Sequence, residues 1–177
     1  MANRNDIIKF CEEYLKTADF SDGGKNGLQV EGKKEVNKIV TGVTFSQKLL
    51  EKAIEKQADM IMVHHGLFSG QLGDPVQIKG FTKERLKKLL KHDINLAGFH
   101  LPLDAHPEIG NNISLARLFG LSDPEGFDIG FIGDLPEEMD FEQLNEQVRN
   151  KLDTDTYTIP AGPERSRRVA VCSGGAS

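Results

Sequence analysis

The sequence predicts an α/β protein, a three-layer α/β/α arrangement on a mixed, partly parallel sheet, in two similar domains of which the second is incomplete. Three observations carry this. Apolar, strand-length runs at 38–43, 58–63 and 94–100 alternate with segments of helical spacing, the order that builds parallel strand–helix–strand units. The connections between the early runs are short, as such units require. A composition of 38% hydrophobic and 28% charged residues is that of a globular chain rather than a disordered one.

Taken in order, residues 6–16 place Ile7, Ile8, Phe10, Cys11, Tyr14 and Leu15 at helical spacing, which predicts an amphipathic helix. A polar, glycine-rich loop follows at 20–27, and its Asn26-Gly27 pair reads as a tight turn. Strand 38–43 leads into a helix that Thr44 or Ser46 can cap, with Leu49, Leu50, Ala53 and Ile54 on its inner face. Strand 58–63 is next, then a lysine-rich helix over 82–90, where the helix dipole suffices to explain His92. Strand 94–100 ends on a histidine. Asn111 or Asn112 caps a helix that runs through Phe119 and stops at Gly120.

Ser122-Asp123-Pro124-Glu125-Gly126 is a boundary signal, so the domains are expected at 1–122 and 123–177. Past it, 127–132 reads as a strand, 140–152 as a helix, and 156–159 and 168–172 as strands. The glycine-rich turn at 173–177 would open into a helix in an α/β unit, so the second domain reads as cut off mid-element.

A net charge of −5 argues against a general electrostatic grip on nucleic acid, and Arg165, Arg167 and Arg168 read as a solvated run. No run approaches the roughly 20 apolar residues of a membrane helix, and the N-terminus lacks a signal-peptide core. Cys11 and Cys172 are too few and too far apart for a disulfide scaffold, so a reduced, cytoplasmic setting is expected.

The chemistry centres on Met62-Val63-His64-His65-Gly66-Leu67-Phe68-Ser69-Gly70, where a buried run stops at two histidines and a glycine. Ligands bind beyond the carboxyl ends of strands in α/β sheets. Adjacent residues at a strand end point different ways, so His64 and His65 suit two metals, or one metal plus a substrate contact. His100 ends another run and Asp104 follows it, with Pro102 between them arguing for a loop rather than a helical pair. Imidazole and carboxylate together suit zinc, manganese, iron or cobalt, and a carboxylate on such a loop could bridge two ions. His106 reads as a surface-loop residue or a substrate contact, and Cys172 as a packed small hydrophobe. Two ions need more donors than His64, His65 and Asp104 supply, so the site is mononuclear or draws ligands from a longer or second chain. Gly23-Gly24-Lys25 lacks the spacing of a phosphate-binding loop.

Four motifs occur in order: Asn26-Gly27-Leu28-Gln29-Val30-Glu31-Gly32, Ile39-Val40-Thr41-Gly42-Val43-Thr44, His64-His65-Gly66, and the run from His100-Leu101-Pro102-Leu103-Asp104 to Ala105-His106-Pro107. Together they resemble the GTP cyclohydrolase I type 2 homologues, the Ngg-interacting-factor-three-like family of dinuclear metal proteins. The likeness runs from about Gly24 to Leu121 and continues weakly to Val169-Ala170-Val171-Cys172-Ser173-Gly174-Gly175. It implies a two-domain α/β protein in a ring-shaped homohexamer, with pairs of divalent metal ions facing an inner cavity. It also implies that His64, His65 and Asp104 are metal ligands and that His100 lines the site. The family completes its site with a His and a Glu one helical turn apart near the C-terminus, a pair that has no counterpart in this sequence.

The function expected is a metal-dependent hydrolase acting on a nucleotide or related small molecule. Ions on His64, His65 and Asp104 would activate water, and His100 or His106 would serve as general acid or base. The alternative is a non-catalytic ring-forming protein whose metal serves structure and whose lumen holds a partner or single-stranded nucleic acid. No membrane partner is expected.

Overall fold

The computed structural model of the protein describes residues 1–68 and 77–175. Ser69 and Gly70, at the end of the histidine stretch, and Ala176 and Ser177, at the end of the glycine-rich turn, lie outside the described residues. Internal contacts divide the chain into two units, Met1–Leu103 and Asp104–Ser177.

The first unit begins with β1 (Ala2–Asn3) and α1 (Arg4–Tyr14), whose cap Asn3 accepts a hydrogen bond from Asn5 N–H. Then come β2 (Gly27–Val30), β3 (Glu35–Val36), β4 (Ile39–Thr44), α2 (Gln47–Glu55), β5 (Met60–His65), α3 (Gly80–His92) and β6 (Asn95–Gly98). Strands β1 and β3 form a small antiparallel ribbon. The main sheet runs β2-β6-β5-β4, with β4, β5 and β6 parallel and β2 antiparallel on the edge.

Alternation along β5 sends successive side chains to opposite faces. Ile61 and Val63 pack with Leu50 and Ala53 of α2 and Leu89 of α3, whereas Met60 and Met62 pack with Ile8 of α1. Helices therefore cover both faces, giving the three expected layers. Of the two proposed caps for α2, Ser46 is the one used, its hydroxyl accepting from Leu49 N–H at 3.2 Å.

The amino ends of β5 and β6 are tied by buried polar groups. Asp59 accepts from Lys33 Nζ at 2.7 Å and from the backbone N–H of Asn37 and Lys38 at 2.9 and 3.1 Å. Asn95, fully buried, accepts from Gly32 N–H at 2.8 Å and donates to the carbonyls of Lys33 and Asp59. Buried polar groups hold a fold only when satisfied, and these are.

A short turn, α4 (Leu101–Asp104), contains Pro102. The loop expected there is instead helical, because a proline in a first helical turn sacrifices no hydrogen bond.

The second unit holds α5 (Asn111–Phe119), β7 (Ser122–Phe127), β8 (Gly130–Asp140), α6 (Phe141–Leu152) and β9 (Arg165–Val171). Its three strands pair antiparallel in the order β7-β8-β9. Ile113, Ala116 and Phe119 of α5 pack on Phe131 and Leu135 of β8, which draws α5 into this unit rather than leaving it before a boundary at 122. Helix α6 opens with an Asp140–Gln143 capping box, in accord with the helix expected at 140–152.

Three local expectations are corrected. Residues 122–126 are strand β7, since an edge strand with a register shift between Ser122 and Glu125 tolerates Pro124. The strand expected at 127–132 is interrupted by the turn at Asp128-Ile129, with Asp128 at φ 52°, so Phe127 ends β7 and Gly130 begins β8. Residues 156–159 form no strand: Tyr157 and Ile159 are 94% and 71% exposed, with no neighbouring ladder to bury them. Among the described residues, no helix is long and apolar enough to cross a membrane.

Candidate metal centre

Strand β5 runs apolar up to Val63 and then delivers His64 and His65 at its carboxyl end, while the chain leaving β6 delivers His100. These three come together. Their ring centroids stand 4.4 Å (His64–His65), 4.8 Å (His64–His100) and 5.5 Å (His65–His100) apart. One ligating atom from each lies within 4.8 Å of the others, and the cluster is half-buried at His64 and His100 and exposed at His65.

Each ring is held at Nδ1. His64 Nδ1–H donates to the Phe99 carbonyl at 3.0 Å. His65 Nδ1 meets Thr44 Oγ1 at 2.9 Å, and His100 Nδ1 meets Asp22 Oδ1 at 3.0 Å. A carbonyl or carboxylate at Nδ1 selects the tautomer whose lone pair is on Nε2, which is how metal-binding histidines are commonly oriented. The donor set therefore fits a borderline divalent ion, by ligand type and by the groups behind the ligands.

Sequence reasoning missed Asp22. Its carboxylate, only 4% exposed, also accepts from Leu101 N–H at 3.0 Å and Asn26 Nδ2 at 3.1 Å. Burial works against its ionisation, but the hydrogen bonds from His100, Leu101 and Asn26 and the charge of His100 outweigh this, and its pKa lies below the usual carboxylate range. Asn26 accepts from His100 N–H at 2.8 Å, so the pair expected to form a tight turn instead braces a histidine, with Gly27 already in β2. The only hint in the sequence was an aspartate in a loop dense in glycine.

The cluster opens into a cleft of about 680 Å³, lined by the 22–26 loop, the ends of β4 and β5 and the first turns of α3. Lys25 and Arg85 bring positive charge to its wall. Arg85 is fixed by donating to the Phe45 carbonyl and lying 5.6 Å over the Phe45 ring.

The other expected site residues belong to the second unit. Asp104 is 4% exposed, and its Oδ1 accepts from Asn111 Nδ2 at 2.7 Å and Ser173 Oγ at 3.1 Å. His106 Nδ1 accepts from the backbone N–H of Glu108 and Ile109 at 3.2 and 3.4 Å. Cys172 is exposed rather than packed, because β9 ends before it. The slight burial that remains, with the charges of Asp104 and Asp128, raises its thiol pKa, the opposite of what a nucleophile needs. Arg165 and Arg168 pair with Glu138, Glu125 and Asp134 at the surface, as a solvated run does.

Fold and cleft together define an α/β protein with a candidate metal-binding histidine cluster at the carboxyl ends of parallel strands. The chain belongs to the Duf34/NIF3 (NGG1p interacting factor 3) family, whose profile matches residues 2–177. It is 44% identical over 177 residues to the Escherichia coli (strain K12) GTP cyclohydrolase 1 type 2 homolog, covering 96% of this chain and 69% of that one. A Neisseria meningitidis serogroup A protein of the same name is 41% identical over 179 residues, covering 99% of this chain and 71% of the relative. Among solved structures, the chain is similar to protein ybgI, described as of unknown function, with a TM-score of 0.90 and 42% identity over 99% of this chain and 71% of that one. TTHA1606 from Thermus thermophilus gives a TM-score of 0.85 and 36% identity, covering 98% of this chain and 71% of that chain.

Proposed function

We propose that this chain is a divalent-metal-binding protein acting as a metal-dependent hydrolase on a nucleotide or related small molecule. The observation that carries the reading is the convergence of His64, His65 and His100 to within 4.8 Å. Zinc, manganese, iron or cobalt would fit these donors, and such an ion lowers the pKa of a water and stabilises charge on a leaving group. The three rings hold the ion, Asp22 keeps His100 in its ligating tautomer, and Lys25 and Arg85 attract an anionic part of the ligand. Asp104 supplies a further ligand, for the second ion that the family resemblance implies, and His106 serves as a proton carrier. The cytoplasm is the setting proposed, and a homohexamer the assembly.

The name of the relatives directs the first substrates to purine nucleotides. Elemental analysis and turnover on a nucleotide panel for wild type, His64→Ala and Asp104→Ala test the reading. Metal in the wild type, lost together with turnover in His64→Ala, supports the enzyme. Metal retained with no turnover on any nucleotide supports the non-catalytic binding protein instead, and a wild type that takes up no divalent ion overturns both. Light scattering gives the assembly.

A further inference from the structure

Gln29 is held between the two histidine-bearing turns. Leu28 pairs with Ala97 and Val30 with Leu96, so Gln29 is an extra residue in the β2–β6 ladder, a bulge. Bulges beside functional sites re-aim a side chain. Here Oε1 accepts from Leu67 N–H at 2.7 Å and Phe68 N–H at 3.2 Å, while Nε2 donates to the Lys25 carbonyl at 2.6 Å.

Two glycines make room for this carboxamide. A β-carbon on Gly66 would stand 2.3 Å from Gln29 Oε1, and one on Gly98 would stand 2.8 Å from Nε2. Gly66 directly follows His65, and Gly98 lies two residues before His100. The carboxamide thus occupies a slot that exists because both histidine-bearing segments lack a side chain there.

We propose that Gln29 is a positioning residue for the histidine cluster. Its carboxamide ties the turn after β5 to the Lys25 carbonyl of the loop before β2, against Gly98 at the end of β6, and so sets the spacing at which His64, His65 and His100 meet a divalent cation. The role rests on the metal-binding reading above. Leaving the Leu67 and Phe68 N–H groups without their acceptor would cost the turn its fixed position. Asn26, three residues before Gln29, performs the matching task for His100.

Gln29→Met keeps the side chain's length and removes both hydrogen-bonding ends, while Gln29→Glu keeps an acceptor for Leu67 and Phe68. Each is compared with wild type by amide exchange and histidine-ring NMR in the metal-free protein, and by calorimetric titration with zinc. In Gln29→Met the Leu67 and Phe68 amides exchange faster, the His65 and His100 ring resonances move, and zinc binds about 10–100-fold more weakly. Gln29→Glu returns the amides and rings towards wild type. Unchanged rings and amides in Gln29→Met overturn the inference whether or not zinc binds, as does unchanged zinc affinity with moved rings. A wild type that takes no zinc, with rings that still move in Gln29→Met, sinks the metal reading and leaves the positioning role standing. Should Gln29→Met not fold, Gln29→Asn, one methylene short of the turn, replaces it under the same criteria.

Discussion

His100 Nδ1 and Asp22 Oδ1 meet at 3.0 Å across 78 positions of the chain. An ionised Asp22 holds the proton of His100 on Nδ1 and turns Nε2 to the cluster. Asp22→Asn keeps the shape, removes the charge, and can offer an N–H where the ring needs an acceptor. Titration calorimetry should show divalent-cation binding about 10–100-fold weaker, with the far-ultraviolet dichroism of the wild type retained. Undiminished affinity would mean that His100 is not a ligand or needs no orienting.

Asp59 ties the stability of the first unit to acid pH. The hydrogen bond from Lys33 is the main cause of its lowered pKa; burial opposes it, and the N–H groups of Asn37 and Lys38 reinforce it. The folded value lies below that of the unfolded chain, about 3.9. Its stabilisation is therefore complete above that value and fades as pH falls through the lower folded one. Urea unfolding at stepped pH should show wild type losing stability over that window, while Asp59→Asn starts less stable by about 1–3 kcal/mol at neutral pH and loses less on acidification.

Gly32 is a close-approach position. A β-carbon there would lie 2.6 Å from the Asp93 carbonyl oxygen and 2.7 Å from Asn95 N, both backbone atoms that cannot swing aside. Gly32→Ala should cost about 1–3 kcal/mol, read as a lowered Tm in thermal unfolding. A neutral substitution would show that the 32–33 segment moves freely away from β6.

In the second unit, Asp104→Ala deprives Asn111 and Ser173 of a shared acceptor. A loss of about 1.5–3 kcal/mol in urea unfolding is expected. Metal content measured on the same sample separates this structural effect from any role as ligand.

The elements that follow local signals were legible in the sequence. Strands β4, β5 and β6 are apolar runs, α5 ends at Gly120 in the left-handed conformation, and α6 begins at a capping aspartate. His64, His65 and His100 were legible because the runs end on them. Asp22 and Gln29 were not, since the partners that tie them to the histidine-bearing segments lie 38 to 79 positions away and their own loop announces only turns. Strand β7 was hidden by Pro124, which reads as a break and is tolerated only because that strand is at an edge. Residues 156–159 have the composition of a strand but no ladder beside them, and composition alone cannot supply one.

Strands β5 and β6 carry the Asp59–Asn95 lattice where they enter the sheet and the histidines where they leave it. Architectural strength and the proposed ion site thus occupy opposite poles of the same two strands. Small zinc domains collapse under chelators because their folding is their metal binding. With its lattice at the far pole, this scaffold should stay folded under a chelator, whatever the proposed ion site holds.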